Sequence, residues 1–314
     1  MGQYSKYKLG TDVSVYQQYV DYKTLKAQGL DFVIARTGKG INFDTRFAYH
    51  CQGAADAGLP FFGYHVPDPS VGQDPVMDRD KSFLNLVYTL QNKTYAGLVA
   101  DCEIYSYIGP KGETVIIPNT NLSSYYLNFS NQVVKFLAGA KPFLIYSSVG
   151  FIQSWMPAFN NQIIKFDPFM AQYPWPLGDS GNVVALKDLD DLQVWIDKLE
   201  TLYGGGHGPL VPSTCKANKM IQFSGDHFTL PTVLGATHQV SSCDFDLFIG
   251  TDDEWDAYIH KVPGTVDEPI PEPLPQPIPV TDLTALQGQV NGLVSDVSSI
   301  KATLVAVKTA WTTI

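Results

Sequence analysis

The sequence predicts an α/β fold, a TIM-like (β/α) barrel that is followed by a proline-rich linker and a C-terminal coiled-coil helix. Three observations lead to this prediction. Short apolar runs alternate with amphipathic segments through most of the chain, a proline cluster follows them, and the remaining residues show a heptad repeat. We therefore expect a barrel domain over residues 1–262, a linker over 263–280 and a helix over 281–314.

Eight strands and six helices are expected in the barrel domain, which closes with residues 252–260. The strands are predicted at 9–15, 30–36, 59–66, 97–103, 142–147, 166–173, 219–223 and 242–248, and the helices at 20–28, 44–57, 74–91, 121–137, 149–156 and 189–203. Gly29 and Gly58 stand where the first two helices end. Near-continuous apolar strands that alternate with helices are typical of a parallel sheet covered by helices. Six such strands before residue 175 favour a closed barrel, and no GxGxxG motif indicates a dinucleotide site.

Composition excludes several classes of function. The 314 residues carry a net charge of -10, whereas nucleic-acid binding needs a clustered basic face. No apolar run reaches the roughly 18 residues of a membrane span, and Met1–Lys8 lacks the apolar core of a signal peptide. We therefore expect synthesis in a cytoplasm, and a protein that works outside the cell would need another route of release.

The cysteines and histidines indicate neither a metal nor a cofactor. The four cysteines form no CxxC motif, and no histidine lies at metal-ligand spacing from them. Cys102 and Cys243 are expected to be buried free thiols, although a bridge between them stays open if their strands are close.

Acidic residues stand at the ends of three predicted strands. Asp101 and Glu103 are two residues apart on the fourth strand, so that they face the same side while Cys102 faces the other. Asp12 is on the first strand and Asp244 on the eighth, which are neighbours in a closed barrel. All eight C-terminal strand ends are expected to open onto one mouth of the barrel. Four carboxylates at one mouth would raise the pKa of at least one of them, which suits a general acid.

Aromatic residues accompany these acids at other strand ends. They are Tyr16, Tyr64 with His65, Tyr146, Tyr173 and Trp175. Rings that stack on sugars, together with carboxylates that flank a glycosidic bond, predict a carbohydrate site with these residues as its substrate-binding part.

Four motifs resemble the lysozymes (N-acetylmuramidases) of glycoside hydrolase family 25. They are Thr-Asp-Val-Ser-Val-Tyr-Gln at 11–17, the run at 32–40 with Gly-Tyr-His at 63–65, the Asp-x-Glu of Asp101 and Glu103, and Asp-Phe-Asp-Leu-Phe at 244–248. The likeness spans about residues 9–260. It implies a flattened barrel that hydrolyses the β-1,4 bond between N-acetylmuramic acid and N-acetylglucosamine. Glu103 then corresponds to the general acid, Asp101 to the group that assists the substrate's acetamido group, and Asp12 and Asp244 to supporting carboxylates.

Some positions depart from the family's pattern. Lys39 stands where Glu is frequent, Met170 where Trp is frequent, Ile-Gln-Phe at 221–223 replaces Trp-Gln-Tyr, and Asp246 replaces Asn. None of these removes the acid pair, although the substrate subsites differ.

The C-terminal residues predict oligomerisation. Apolar residues recur every seventh position from Leu283 to Trp311, and a second series from Leu286 to Ile314 interleaves with it. β-branched residues at both core positions favour a trimer over a dimer. The helix could pair with its own copies or dock the protein onto a phage structural assembly. The whole pattern is that of a phage endolysin or virion-associated lysin. Such a protein is expected to be made in the host cytoplasm and to act on the cell wall after release or as part of a virion.

Two other functions stay open. The barrel could be a catalytically inactive glycan-binding or structural module of a phage particle, or an enzyme that acts on another N-acetylated polymer such as chitin. An intact acid pair argues against the first, and the absence of the longer acidic run of chitinases argues against the second.

Overall fold

The computed structural model describes residues 7–69, 75–91, 93–109, 111–174, 184–203, 211–230 and 242–260. The predicted linker and coiled-coil helix, and with them Trp175, lie outside these residues. None of the described helices is long and apolar enough to cross a bilayer.

The described residues form twelve strands, eight α-helices and two short 3-10 helices. The strands are β1 (Tyr7–Val13), β2 (Phe32–Lys39), β3 (Asn42–Phe43), β4 (Phe61–Val66), β5 (Gly97–Asp101), β6 (Ser106–Ile108), β7 (Thr114–Ile116), β8 (Phe143–Ser147), β9 (Asp167–Ala171), β10 (Val184–Ala185), β11 (Met220–Thr229) and β12 (Ser242–Ile249). The helices are α1 (Tyr22–Ala27), α2 (Phe47–Asp56), α3 (Pro75–Leu90), α4 (Asn119–Leu137), α5 (Val149–Trp155), α6 (Pro157–Asn160), α7 (Gln193–Tyr203) and α8 (Asp252–Ile259), with 3-10 turns at Ile163–Lys165 and Leu189–Leu192.

Eight of the strands close into a barrel. Their order is β1-β12-β11-β9-β8-β5-β4-β2, and pairing of β2 with β1 completes the ring. These are the eight strands that the sequence predicts, so the α/β barrel is confirmed.

One strand runs against the expected direction. β12 pairs antiparallel with both β1 and β11, whereas the other barrel pairs are parallel. The expectation that all eight C-terminal strand ends meet at one mouth is therefore wrong for β12. Its N-terminal end lies at the mouth instead, and Asp244 is placed there opposite Asp12 of β1.

The barrel has an inner and an outer apolar layer. Alternating residues of its strands face either the interior or the surrounding helices. The interior is filled by Phe32, Ile34, Phe62, Val99, Leu144, Phe169, Met220 and Phe248, against which Trp255 of α8 packs. Gly10 faces this layer, because a Cβ there would meet the Phe32 ring at 2.2 Å. Toward the mouth the interior side chains become polar, and the candidate site lies among these polar side chains.

The described cysteines are not bridged. Cys51, Cys102 and Cys215 are free thiols. Burial raises the pKa of the Cys102 thiol well above its ordinary value, so this group is an inert part of the outer layer.

Candidate active site

A cavity of about 130 Å³ opens at the mouth of the barrel. Its lining consists of Asp12, Ile34, Tyr64, Val99, Asp101, Glu103, Tyr146, Phe169, Gln222 and Asp244. The structure thus brings all four sequence-predicted carboxylates to one place, although Asp12 and Asp244 lie far apart in the sequence.

A larger cavity, of about 1140 Å³, lies at the other end of the barrel, beside the first turn of α8. That end holds the N-terminal ends of the parallel strands, which in barrels of this type support stability, while catalytic groups lie at the C-terminal ends. We therefore place the candidate site in the smaller cavity, where the carboxylates are.

The acid pair lies on an extended segment that continues past the end of β5. The strand ends at Asp101, but the backbone N–H of Cys102 donates to the Tyr146 carbonyl at 2.9 Å and the Ser147 hydroxyl donates to the Cys102 carbonyl at 2.9 Å. Because these bonds keep the segment alongside β8, the alternation of faces persists. Asp101 and Glu103 both face the cavity, and Cys102 is buried on the other side.

Burial raises the pKa of both acids of the pair, and repulsion by nearby carboxylates adds to this effect at Asp101. Desolvation raises the pKa of Asp101 well above its ordinary value, and the nearby charges of Glu103 and Asp12 raise it further. Asp101 Oδ1 is buried and has no hydrogen-bond partner among the described residues. Glu103 is exposed at the rim, yet partial desolvation by the surrounding protein also raises its pKa. The pair therefore keeps a proton at higher pH than free carboxyl groups do.

Gln222 connects three strands at the mouth. Its Nε2 donates to Asp12 Oδ2 at 2.8 Å, while its Oε1 accepts from the Tyr146 hydroxyl at 2.5 Å and from the Tyr173 hydroxyl at 3.1 Å. Gln222 is not among the site residues predicted from the sequence. A polar residue inside the apolar run of β11 is the signal that could have identified it.

Four of the predicted aromatic residues lie at or near the mouth. Tyr64 and Tyr146 line the cavity, and burial raises the pKa of both hydroxyls well above the ordinary value, so that both stay neutral. Tyr173 reaches the site through Gln222. Tyr16, which follows β1, is 65% exposed, and its ring lies over the guanidinium group of Arg36.

His65 is not brought to the cavity, contrary to the prediction. It follows Tyr64 on β4 and therefore faces the opposite side of the sheet. There it is fully buried, with Nδ1 2.8 Å from Thr37 Oγ1 and Nε2 3.0 Å from Ser82 Oγ. Its ring stacks on Phe129 of α4. Burial lowers the pKa of His65 to about 3, so the imidazole is a neutral structural group.

A fifth carboxyl group lies on the inner face of β12. Asp246 is fully buried, and neither of its oxygens has a hydrogen-bond partner in the described part of the chain. Desolvation, followed by the charges of Asp12 and Asp244, raises its pKa well above the ordinary value. Asp246 therefore favours the neutral acid form beneath the site.

Among the described residues, no group of three or more His, Cys, Asp or Glu side chains is placed to hold a metal ion. The acid pair of the site can transfer protons beside the carboxylates of Asp12 and Asp244.

Comparisons with known proteins agree with this fold. The family model of the glycosyl hydrolases family 25 matches residues 11–176, just over half of the chain. A muramidase from Trichobolus zukalii is similar in structure, with a TM-score of 0.52 and 20% identity over 81% of this chain and 99% of its own. A bacterial lysozyme from Streptomyces coelicolor is also similar, with a TM-score of 0.51 and 17% identity over 81% of this chain and 97% of its own.

The CTP1L endolysin is a third similar structure, with a TM-score of 0.52 and 17% identity over 80% of this chain and 69% of its own. At these identities the likeness shows a shared fold. A search of curated proteins gives no match. From the family match and the barrel that carries its acid pair, we conclude that the chain belongs to family 25 of the glycosyl hydrolases.

Proposed function

We propose that the protein is a peptidoglycan hydrolase that cleaves the β-1,4 bond between N-acetylmuramic acid and N-acetylglucosamine. The observation that carries this proposal is the pair Asp101 and Glu103, which faces one cavity with both pKa values raised. Family membership supports glycoside hydrolysis. The muramidase and lysozyme among the similar structures support the choice of substrate.

Glu103 is the general acid in this proposal. Its place at the rim lets it reach the glycosidic oxygen of a long polymer, and its raised pKa keeps the proton available. Proton donation to that oxygen accompanies cleavage of its bond to the anomeric carbon of the muramic acid ring. Positive charge then develops on the ring, and the carboxylates of Asp12 and Asp244 stabilise it.

Asp101 assists the acetamido group at C2 of the same ring. Its unpartnered Oδ1 accepts the amide N–H, while the amide carbonyl oxygen attacks the anomeric carbon and closes a five-membered ring. Water then opens that ring, with Glu103 as the base, and the configuration is retained. This is the substrate-assisted alternative to a carboxylate nucleophile.

Substrate binding also determines which acid of the pair holds the proton. In the empty site, burial favours the neutral form of Asp101. An N–H donor from the substrate favours the charged form instead, because it supplies the hydrogen bond that Oδ1 lacks. The proton then resides on Glu103, where the reaction needs it.

The test is digestion of purified peptidoglycan, with mass spectrometry of the new reducing ends. The wild type should release fragments that end in reducing muramic acid, whereas Glu103→Gln and Asp101→Asn should release none above background. Glu113→Gln, which changes an exposed acid of the β6–β7 hairpin, is the matched control. Reducing glucosamine ends would show a different bond specificity. No product from the wild type would favour the inactive glycan-binding module.

We further propose that the protein acts as a phage endolysin or virion-associated lysin, since an endolysin is among the structures with the same fold. Residues 263–280 would then be a spacer between the barrel and a coiled-coil helix over 281–314. The heptad pattern supports a homo-oligomer, with a trimer favoured, or docking onto a phage structural assembly.

A further inference from the structure

Arg36 is a cationic residue beside Tyr64, which lines the acidic cavity, and it has no part in the mechanism proposed above. It follows Ile34 by two residues on β2 and so continues the inner face that lines the cavity. It lies opposite Tyr64 in the register of β2 and β4. The charge of Arg36 lowers the pKa of Asp101 and of Tyr64, which partly offsets the effect of burial on both.

Within the described residues, the Arg36 guanidinium group donates a hydrogen bond through Nε only. Its Nε donates to Asp44 Oδ2 at 2.7 Å, and the Asp44 side chain is fully buried. Asp44 also accepts from the backbone N–H groups of Val15 and Arg46, at 2.9 and 2.8 Å. No hydrogen bond from Arg36 Nη1 or Nη2 occurs within the described residues, which leaves the outer edge of the fork available.

Tyr16 covers this cation. Its ring centroid lies 5.2 Å from Arg36 Cζ, and the segment that carries Tyr16 is fixed because Val15 N–H donates to the same Asp44 carboxylate. The Arg36 side chain is only 17% exposed, while Tyr16 is 65% exposed. An aromatic face above a partly desolvated guanidinium group strengthens hydrogen bonds to an anion, because water competes less there.

We propose that Arg36 and Tyr16 form a subsite for a carboxylate of the substrate, namely the one carried on C3 of the muramic acid ring by its lactyl group or by the attached peptide. This inference rests on the proposed function. A guanidinium fork with two adjacent free donors matches a carboxylate in a bidentate manner, whereas a neutral sugar hydroxyl uses only one of them.

The position agrees with the proposed mechanism. Asp101 takes the acetamido group at C2 of the muramic acid ring, and C3 is the neighbouring atom of that ring. Arg36 lies within electrostatic range of Asp101 across Tyr64. A polymer of N-acetylglucosamine, such as chitin, has no carboxylate at C3, so the subsite would also separate the two polymers.

The test compares three forms of peptidoglycan glycan. The first has its peptides removed and free lactyl carboxylates, the second has these carboxylates converted to neutral methylamides, and the third keeps its peptides. We expect Arg36→Gln to raise KM for the first form about tenfold, the loss expected for charge-assisted hydrogen bonds, with little change for the second. Arg36→Lys, which keeps the charge but lacks the planar fork, should lie between wild type and Arg36→Gln.

The source of the carboxylate follows from the same data. A KM effect on the first form assigns the subsite to the lactyl group, and an effect confined to the third assigns it to the peptide. Arg46→Gln is the matched control, since this arginine donates to Gln18 and lies over Tyr49. Equal losses on all three forms would overturn the proposal and show that Arg36 only supports Asp44.

A binding measurement keeps this inference separate from the proposed function. Calorimetry with Glu103→Gln protein should show tighter binding of the first or the third form than of the second, and Arg36→Gln should abolish the difference. If the wild type cleaves nothing, the proposed function fails while this difference still decides the subsite. If all three forms bind equally, the subsite is absent.

Discussion

Gln222 donates a hydrogen bond to Asp12 at 2.8 Å, and this bond joins β11 to β1 across the antiparallel strand β12 between them. The same amide accepts from Tyr146 and Tyr173 through its oxygen. One amide thus fixes the orientation of a carboxylate and of two tyrosines from three further strands or their ends. A site assembled in this way is sensitive to the loss of a single polar atom.

Gln222→Leu should therefore lower both the stability and the activity of the protein, although leucine is close to glutamine in size. Loss of the amide leaves the buried Tyr146 hydroxyl without its acceptor and Asp12 without this donor, at a cost of about 1–3 kcal/mol in stability. We expect a lower midpoint of thermal unfolding and a kcat reduced about tenfold or more. The measurement is calorimetry together with release of reducing ends. Gln52→Leu, on the exposed face of α2, is the control and should change neither.

The pH dependence of activity should follow the acid pair. Since the proton donor Glu103 has a raised pKa, kcat should persist above the ordinary pKa of a glutamate and fall as the pH rises through the raised value. A profile of initial rate from pH 3 to pH 9 checks this. A rate that stays constant over the whole alkaline side would contradict the role of Glu103 as general acid.

Asp246→Asn should stabilise the protein at neutral and alkaline pH. The folded-state pKa of Asp246 lies above its unfolded value, so its contribution to stability is present below about pH 4 and is lost as the pH rises through the folded pKa. Asparagine does not ionise, so the variant should keep its stability as the pH rises. We expect the midpoint temperature of unfolding to be several degrees higher than that of the wild type at pH 8 and nearly equal to it at pH 3. Asp197→Asn, on the exposed face of α7, should show no such dependence. Equal stability of Asp246→Asn and wild type at pH 8 would argue that Asp246 is paired.

His65 should destabilise the fold in acid. Its folded-state pKa of about 3 lies below the unfolded value of about 6.5, so stability is lost as the pH falls through this window, by at most about 1.4 kcal/mol per pH unit. His65→Gln should flatten this slope, measured as the free energy of unfolding in urea between pH 4 and pH 7. His260→Gln changes an exposed residue after α8 and serves as control. A direct role of His65 in substrate binding would instead appear as a change in KM without a change in slope.

Removal of residues 281–314 should lower the mass of the particle in solution. The heptad repeat predicts that this segment associates, with a trimer favoured, and the proline-rich residues 263–280 before it are predicted to form a linker. Light scattering after size exclusion measures the mass of both forms, and the truncated barrel should keep its activity on soluble glycan fragments. An unchanged mass would show that the coiled-coil prediction is wrong.

The positions of the acids could be predicted because they depend on local patterns. Asp101 and Glu103 follow a run of apolar residues, and the period of a strand places both on one face. The structure agrees even though β5 ends at Asp101, since hydrogen bonds to β8 keep the next residues extended. Asp12 and Asp244 could be paired because the first and last strands of a closed barrel are neighbours.

By itself, therefore, the sequence determined the eight strands and the acids that they carry, because each rests on periodicity within a few residues. The number of strands then favoured the barrel, in which the first and last strands are neighbours. Only the tertiary structure decided the direction of β12, the outward position of His65, and the contacts of Gln222 and Arg36. These depend on register and on partners far apart in the chain, as Gln222 and Asp12 are, and no local pattern contains that information. Packing of the whole barrel decides strand direction and cross-strand hydrogen bonds. It therefore also decides which acids lie together in the site.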